Sequence, residues 1–229
     1  MKVAIVIPAL NEEASVGRVL RDIPSSVGAS AIVVDNGSTD ATAAVAGDAG
    51  AEVVQQSRPG YGWACLAGIQ RALALGAEVI VFLDADYSDR PEELPLLLAP
   101  IERGEADLVL GSRLRGRREA GAMAGHSVLG NQLVAALMRW IYGLPLSDLG
   151  PFRAVRADLL MRMHLRETTY GWPVEMLAKA ARLGARVVEI PVSYRPRIGR
   201  SKVSGTMRGT LGAAYFLITR TLAYARWRP

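Results

Sequence analysis

In the first half of the chain the apolar residues fall in short unbroken runs, at 3–7, 31–34, 53–54 and 79–83, and a further strand is expected at 107–110. Runs of β-formers without alternation read as strands covered on both faces. Between them lie stretches with helical punctuation. Residues 11–22 carry Glu12 and Glu13 where a first turn favours acids, 41–49 follow a Ser38 or Thr39 cap, and 63–75 and a stretch opened by Pro91 follow in turn. Strand and helix in alternation predict an α/β fold, a mainly parallel sheet with helices on both faces. The second half continues with a Gly/Arg-rich loop at 114–125, helices at 127–142 and 174–183, and a strand at 187–192. Residues 206–227 mix apolar residues with Arg208, Arg220 and Arg226, an amphipathic helix that either lies on a bilayer surface or packs on the domain. The expected organisation is one domain over 1–205 with a C-terminal amphipathic helix over 206–229.

Composition narrows the setting. A chain of 229 residues holds one sizeable core. Cys65 is the single cysteine, which rules out an intramolecular disulfide framework and fits a reducing, cytoplasmic compartment. The opening run is expected not to act as a signal peptide, because Pro8 interrupts it too soon. No stretch has the uncharged apolar length of a spanning helix. The formal net charge is +5, and no acidic residue follows Glu189. A basic tail implies an anionic partner, a phosphate or a membrane surface. Nucleic acid is not expected, since no reader motif accompanies the charge.

The apolar run 79–83 ends abruptly in Asp84-Ala85-Asp86. Ligands of open α/β sheets bind outside the carboxyl ends of strands. Carboxylates at i and i+2 of an extended chain lie on one side, where they repel unless a cation sits between them. Hard oxygen ligands suit Mg²⁺ or Mn²⁺ carrying a substrate phosphate. The other reading of the same residues is an acidic turn after a strand.

Four ordered motifs carry a more specific message: Ile5-Val6-Ile7-Pro8-Ala9-Leu10-Asn11-Glu12-Glu13, Val33-Val34-Asp35-Asn36-Gly37-Ser38-Thr39-Asp40, Asp84-Ala85-Asp86 and Gly111-Ser112-Arg113. Together they resemble the inverting GT-A glycosyltransferases of family 2, in particular the dolichol- and polyprenol-phosphate mannose or glucose synthases. With Asp148-Leu149-Gly150-Pro151-Phe152-Arg153, Glu175 and Arg200-Ser201-Lys202 the resemblance spans nearly the whole chain.

That resemblance implies a Rossmann-like GT-A sheet and metal-dependent transfer of a hexose from a UDP- or GDP-sugar, most naturally to a polyprenyl phosphate. It implies a nucleotide site at Pro8, Asn11, Glu12, Asp35 and Asp84, and a Mg²⁺ or Mn²⁺ site at Asp84 and Asp86. Asp86, Asp148 and Arg113 form the implied catalytic set. Arg117, His126, Arg153, Glu175, Arg200 and Lys202 would surround an acceptor phosphate, which guanidinium forks grip bidentately. A phosphate acceptor is already anionic and needs no general base, whereas a soluble hydroxyl acceptor would need one, with Asp148 the candidate; an inactive sugar-nucleotide binding protein is the other alternative. The chain departs from the family pattern at Asn36, where an aspartate is frequent, at Ser88, where a glutamine is frequent, and at Arg58-Pro59-Gly60-Tyr61-Gly62, which lacks a lysine. The backbone amides of Gly60 and Gly62 would there face phosphate or simply form a turn. A lipid acceptor implies residence at the cytoplasmic membrane face.

Overall fold

The computed structural model describes residues 1–199 and 207–228, those from 207 to 214 by their backbone alone. Seven strands, β1 (Val3–Ala9), β2 (Ser30–Asp35), β3 (Glu52–Gln55), β4 (Val79–Phe82), β5 (Leu108–Ser112), β6 (Arg153–Arg156) and β7 (Val187–Pro191), form one sheet. Their order across it is β3-β2-β1-β4-β6-β5-β7. β6 runs antiparallel to both of its neighbours, and the other pairings are parallel. The helices are α1 (Val16–Arg21), α2 (Thr42–Asp48), α3 (Tyr61–Ala74), α4 (Leu94–Glu102), α5 (Gly125–Tyr142), α6 (Ala157–Met163), α7 (Trp172–Arg182) and α8 (Met207–Ala223).

Burial on both faces explains the unbroken apolar runs. Val3, Ile5 and Ile7 of β1 join one core with Val16 and Val19 of α1 and Leu97 of α4. Ala4 and Val6 point the other way, into a core with Cys65 of α3, Val134 of α5 and Trp172 of α7. Trp172 is thereby a core residue, with its ring edge-on to Phe82 at 4.7 Å.

Several local expectations change in the folded chain. The helix expected from residue 11 begins only at Val16. Asn11 adopts a φ of 51°, its amide donates to Ser38 Oγ, and the Glu12 amide donates to Thr42 Oγ1. The exits of β1 and β2 thus bind each other, and this outweighs continuing the helix backwards. Ser38 and Thr39 do not cap α2, which starts after Ala41, because the Ser38 hydroxyl already serves Asn11. Pro91 opens a short 3-10 turn that leads into α4. The pattern announced neither β6 nor α6.

Chain progress across the sheet reverses between β1 and β4, which lie side by side and parallel. At such a switch point the loops leaving neighbouring strands diverge and open a crevice. α8 packs against α5 and α7. Thr221 is buried, the Tyr142 hydroxyl donates to its carbonyl at 2.5 Å, and Arg220 pairs with Glu167 at 3.0 Å.

Candidate active site

A cleft of about 570 Å³ opens at the switch point, lined in part by Pro8, Glu12, Asn36, Tyr61, Asp84 and Asp86. These residues come from the exits of three adjacent strands and the start of α3. Asn36 holds the cleft's edge together. Its Nδ2 donates to the carbonyls of Gln56 and Arg58 at 3.0 and 2.7 Å, and its Oδ1 accepts the Gly60 amide at 2.8 Å. An aspartate could accept but not donate, so the departure from the family pattern is matched to the loop it supports.

That pairing occupies the Gly60 amide, which is therefore not directed at a phosphate. The glycines answer a steric need. Gly60 has a φ of 142°, and a Cβ there or at Gly62 would press on the backbone carbonyls of Thr168 or Glu167. Asp35 is nearly buried, its Oδ1 accepts the Ser38 amide at 2.9 Å, and its neighbour Asn36 is the residue that lines the cleft.

Asp84 and Asp86 both line the cleft. Burial, followed by the charge of Asp86, pushes the Asp84 carboxyl up to about 7. The Tyr61 hydroxyl lies 3.4 Å from Asp84 Oδ1. Tyr87 takes a left-handed φ of 64°, which turns the chain back on itself. Ser88 can then donate to Asp86 Oδ1 through both its amide, at 2.9 Å, and its hydroxyl, at 2.5 Å. Ser88 thus orients the carboxylate.

A late segment straps this turn down. The Arg195 amide donates to Ser88 O and the Ile198 amide to Asp86 O, while Arg195 Nε donates to Tyr87 O at 2.6 Å. The Arg197 guanidinium enters the cleft and lies 3.2 Å from both Asp86 Oδ2 and Glu12 Oε1. Asp89, also buried, has no hydrogen-bond partner on either oxygen among the described residues, and burial together with Asp84 raises its carboxyl well above the ordinary range.

Two carboxylates resisting joint ionisation form a donor set that fits a hard divalent cation. Among the described residues no group of three or more acidic, His or Cys side chains forms a metal cage. A cation held by Asp84 and Asp86 would complete its shell with water or substrate oxygens.

Arg113 and Asp148 form a buried bidentate pair. Arg113 Nε and Nη2 donate to the two Asp148 oxygens at 2.8 Å each, and the Arg113 amide adds a third bond at 2.9 Å. Burial alone would raise the Asp148 carboxyl, but the Arg113 charge and hydrogen bonds hold it below the ordinary carboxylate range. Arg113 itself lines the cleft.

Arg153 is fully buried, and its guanidinium donates to the carbonyls of Leu149, Gly150 and Pro173. Burial lowers its affinity for the proton. Glu175 is also fully buried. It accepts the amides of Arg166 and Glu167 and pairs with Lys179 at 2.7 Å, so its partner is a lysine rather than an arginine. Arg117 and His126 lie exposed on the loop and at the start of α5. Arg200 and Lys202 lie outside the described residues.

The cleft thus gathers Pro8, Glu12, Asp84, Asp86 and Arg113 of the residues expected from sequence. It adds Asn36, Tyr61 and Arg197, which were not among them. Arg197 stands two residues after Arg195 in a run of basic residues, and nothing in the run singles it out.

Residues 4–163 match the family model described as Glycosyl transferase family 2. An uncharacterized glycosyltransferase of Mycobacterium tuberculosis is 43% identical over 211 residues, covering 91% of this chain and 93% of its own. The undecaprenyl-phosphate mannosyltransferase of Micrococcus luteus is 36% identical over 245 residues, covering 99% of this chain and 96% of its own. The structure of glucosyl-3-phosphoglycerate synthase from Mycobacterium tuberculosis, solved with Mn²⁺, UDP and glucosyl-3-phosphoglycerate, superposes with a TM-score of 0.77 at 27% identity, covering 100% of this chain and 81% of that one.

Proposed function

The chain belongs to glycosyl transferase family 2, and on that premise we propose that it transfers a hexose from a UDP- or GDP-sugar to a polyprenyl phosphate at the cytoplasmic membrane face. The acceptor phosphate oxygen forms a bond to the anomeric carbon. The bond from that carbon to the diphosphate breaks on the opposite side, and the nucleoside diphosphate leaves with the electron pair, inverting the centre. A Mg²⁺ or Mn²⁺ ion at Asp84 and Asp86 would supply positive charge against the departing diphosphate.

The chain's own groups divide the remaining work. Pro8, Glu12 and Asp84 hold the nucleotide, where carboxylates accept hydrogen bonds from ribose hydroxyls or the base, while Asn11 and Asp35 fix the turn at Ser38 and Thr39. Ser88 and the strap from Tyr194 to Ile198 keep Asp86 in place. Arg113, fixed in direction by Asp148, faces the acceptor phosphate, with Arg117, His126, Arg200 and Lys202 as further contacts on the acceptor side. Arg153 and Glu175 serve that side from beneath, by holding the backbone at 149–150 and 166–167.

The observation that supports a phosphate acceptor most directly is the Arg113–Asp148 pair. Both Asp148 oxygens are engaged by a buried guanidinium and its proton affinity is depressed, which makes it a poor general base for a hydroxyl. The undecaprenyl-phosphate mannosyltransferase among the relatives agrees with this reading. A soluble acceptor bearing a hydroxyl is the second reading, favoured by the likeness to glucosyl-3-phosphoglycerate synthase. Radiolabelled UDP-glucose and GDP-mannose, offered with polyprenyl phosphate or with 3-phosphoglycerate, each with and without Mn²⁺, separate the two. Organic-soluble label that requires Mn²⁺ is the expected result, and label only in a water-soluble product would establish the second reading.

A further inference from the structure

Helix α5 breaks the rule that a surface helix turns its polar residues outward. Val134, Ala135 and Met138 form its buried face. On the opposite side Leu129, Leu133 and Trp140 are 69%, 51% and 81% exposed. These positions, with Ala136 between them, repeat at spacings of three and four and make one stripe along the helix axis. A helix apolar on both faces is normally enclosed on both, yet among the described residues nothing covers the second face. α8, packed against α5, also turns Tyr215, Phe216 and Leu222 outward. Each of these two packed helices thus carries exposed apolar side chains.

Charge identifies the occupant. Neither α5 nor α8 contains an acidic residue. Arg139 is exposed beside Trp140, and exposed Arg115, Arg117 and Arg118 lie on the loop that leads into α5. Aromatic and aliphatic side chains bordered by arginines match the headgroup zone of an anionic bilayer, where the rings enter the acyl boundary and the guanidinium groups meet phosphate. No helix among the described residues is long and apolar enough to cross a membrane, so the fit is to a helix lying on the surface. Arg113, which lines the cleft, stands between the end of β5 and this loop, so the loop links the cleft to α5 along the chain.

We propose that the outward stripe of α5, Leu129, Leu133 and Trp140, is the principal membrane-docking surface of the protein, with α8 as its lateral extension. The C-terminal helix alone is then not the anchor. The inference rests on the lipid-acceptor reading for its purpose, but binding to a bilayer requires neither sugar nucleotide nor turnover.

Flotation with vesicles of phosphatidylcholine alone, or with an added phosphatidylglycerol fraction, tests it in the full chain. The wild-type protein is expected to float with the anionic vesicles, and at least tenfold less with neutral ones. The double variant Leu133→Glu, Trp140→Glu should lower the partition coefficient at least tenfold. Both side chains are exposed, so its circular dichroism and melting temperature should match wild type, and Leu133→Ser, Trp140→Ser serves if they do not. Undiminished flotation of a folded variant overturns the proposal. So does a wild-type dimer in sedimentation that the variant dissociates while vesicles bind neither form, since the stripe would then cover a second copy. Vesicle binding without transfer to polyprenyl phosphate would uphold the docking surface and reject the acceptor, and transfer by a protein that does not bind vesicles would do the reverse.

Discussion

Arg197 Nη2 lies 3.2 Å from Asp86 Oδ2 and equally far from Glu12 Oε1, so a single guanidinium joins the exit of β4 to the exit of β1 across the cleft. The contact places a cation of the protein's own against the carboxylate that a catalytic metal would use. Arg197 comes from the strap that also fixes Ser88 and Asp86 through the backbone. The ion pair is thus part of the same support that shapes the donor site.

Removing that cation should favour a metal in the absence of donor. Two unit charges ~4 Å apart near a protein surface interact by about 4 kcal/mol, and solvent screening of a partly exposed pair brings this down to roughly 1 kcal/mol. Arg197→Gln is therefore expected to tighten Mn²⁺ binding to the nucleotide-free protein by about fivefold. Titration followed by electron paramagnetic resonance measures this, and an unchanged Kd would show that Arg197 does not compete.

Metal binding should depend on pH through Asp84. Its carboxyl is raised to about 7 by burial and by Asp86, so below that pH it carries a proton that a cation must displace. Mn²⁺ affinity is expected to fall by about tenfold per pH unit below that value and to level off above it. Asp84→Asn should flatten the profile, and Asp86→Ala should abolish metal-dependent transfer.

The Arg113–Asp148 pair carries a stability forecast with a definite sign. The folded-state pKa of Asp148 is depressed, so its contribution is present above the unfolded-state carboxylate value and is lost as the pH falls through the lower folded value. Asp148→Asn leaves a buried guanidinium without its counter-charge, a change that typically costs roughly 3–5 kcal/mol. A melting temperature about 10 °C lower is expected at pH 7, with the difference from wild type narrowing in acid. A variant with unchanged stability and no activity would instead point to a chemical role for Asp148.

Asn36→Asp would bring back the residue more frequent in the family and should nevertheless weaken the protein. It removes the donors to Gln56 O and Arg58 O and sets a charge against two carbonyls. Leaving such groups unmet costs about 1–3 kcal/mol. Because the affected loop borders the donor cleft, KM for the sugar nucleotide should rise more than kcat falls, which steady-state kinetics on the purified variant would read directly.

The α/β architecture was legible because burial on two faces leaves a mark along the chain, in the runs that became β1, β2 and β4. The carboxylate pair at the edge of the cleft was legible as well, since two carboxylates at the end of a buried strand are conspicuous in sequence. β6 was not. Arg153–Arg156 is four residues long with a charged residue at each end, and it becomes a strand because β4 and β5 leave a gap that an antiparallel segment fills. Glu175 was expected beside an arginine and is instead paired with Lys179 one helical turn on, a choice made when α7 packed against the 166–167 backbone.

By itself the sequence determined the sheet-and-helix alternation, the family, and the carboxylate edge of the cleft at Asp84 and Asp86, because these rest on local periodicity and on residues close together in the chain. Only the tertiary structure decided that Asn36 ties down the Gly60 loop, that Ser88 orients Asp86, that Asp148 is committed to Arg113, and that Arg197 reaches between Glu12 and Asp86. Each of these depends on which backbone carbonyl, amide or charge folding brings within 3 Å or so, and hydrogen bonds and ion pairs at that range leave no periodic trace along the chain. The outward face of α5 belongs with them. An apolar helix reads the same in sequence whichever of its sides the fold covers.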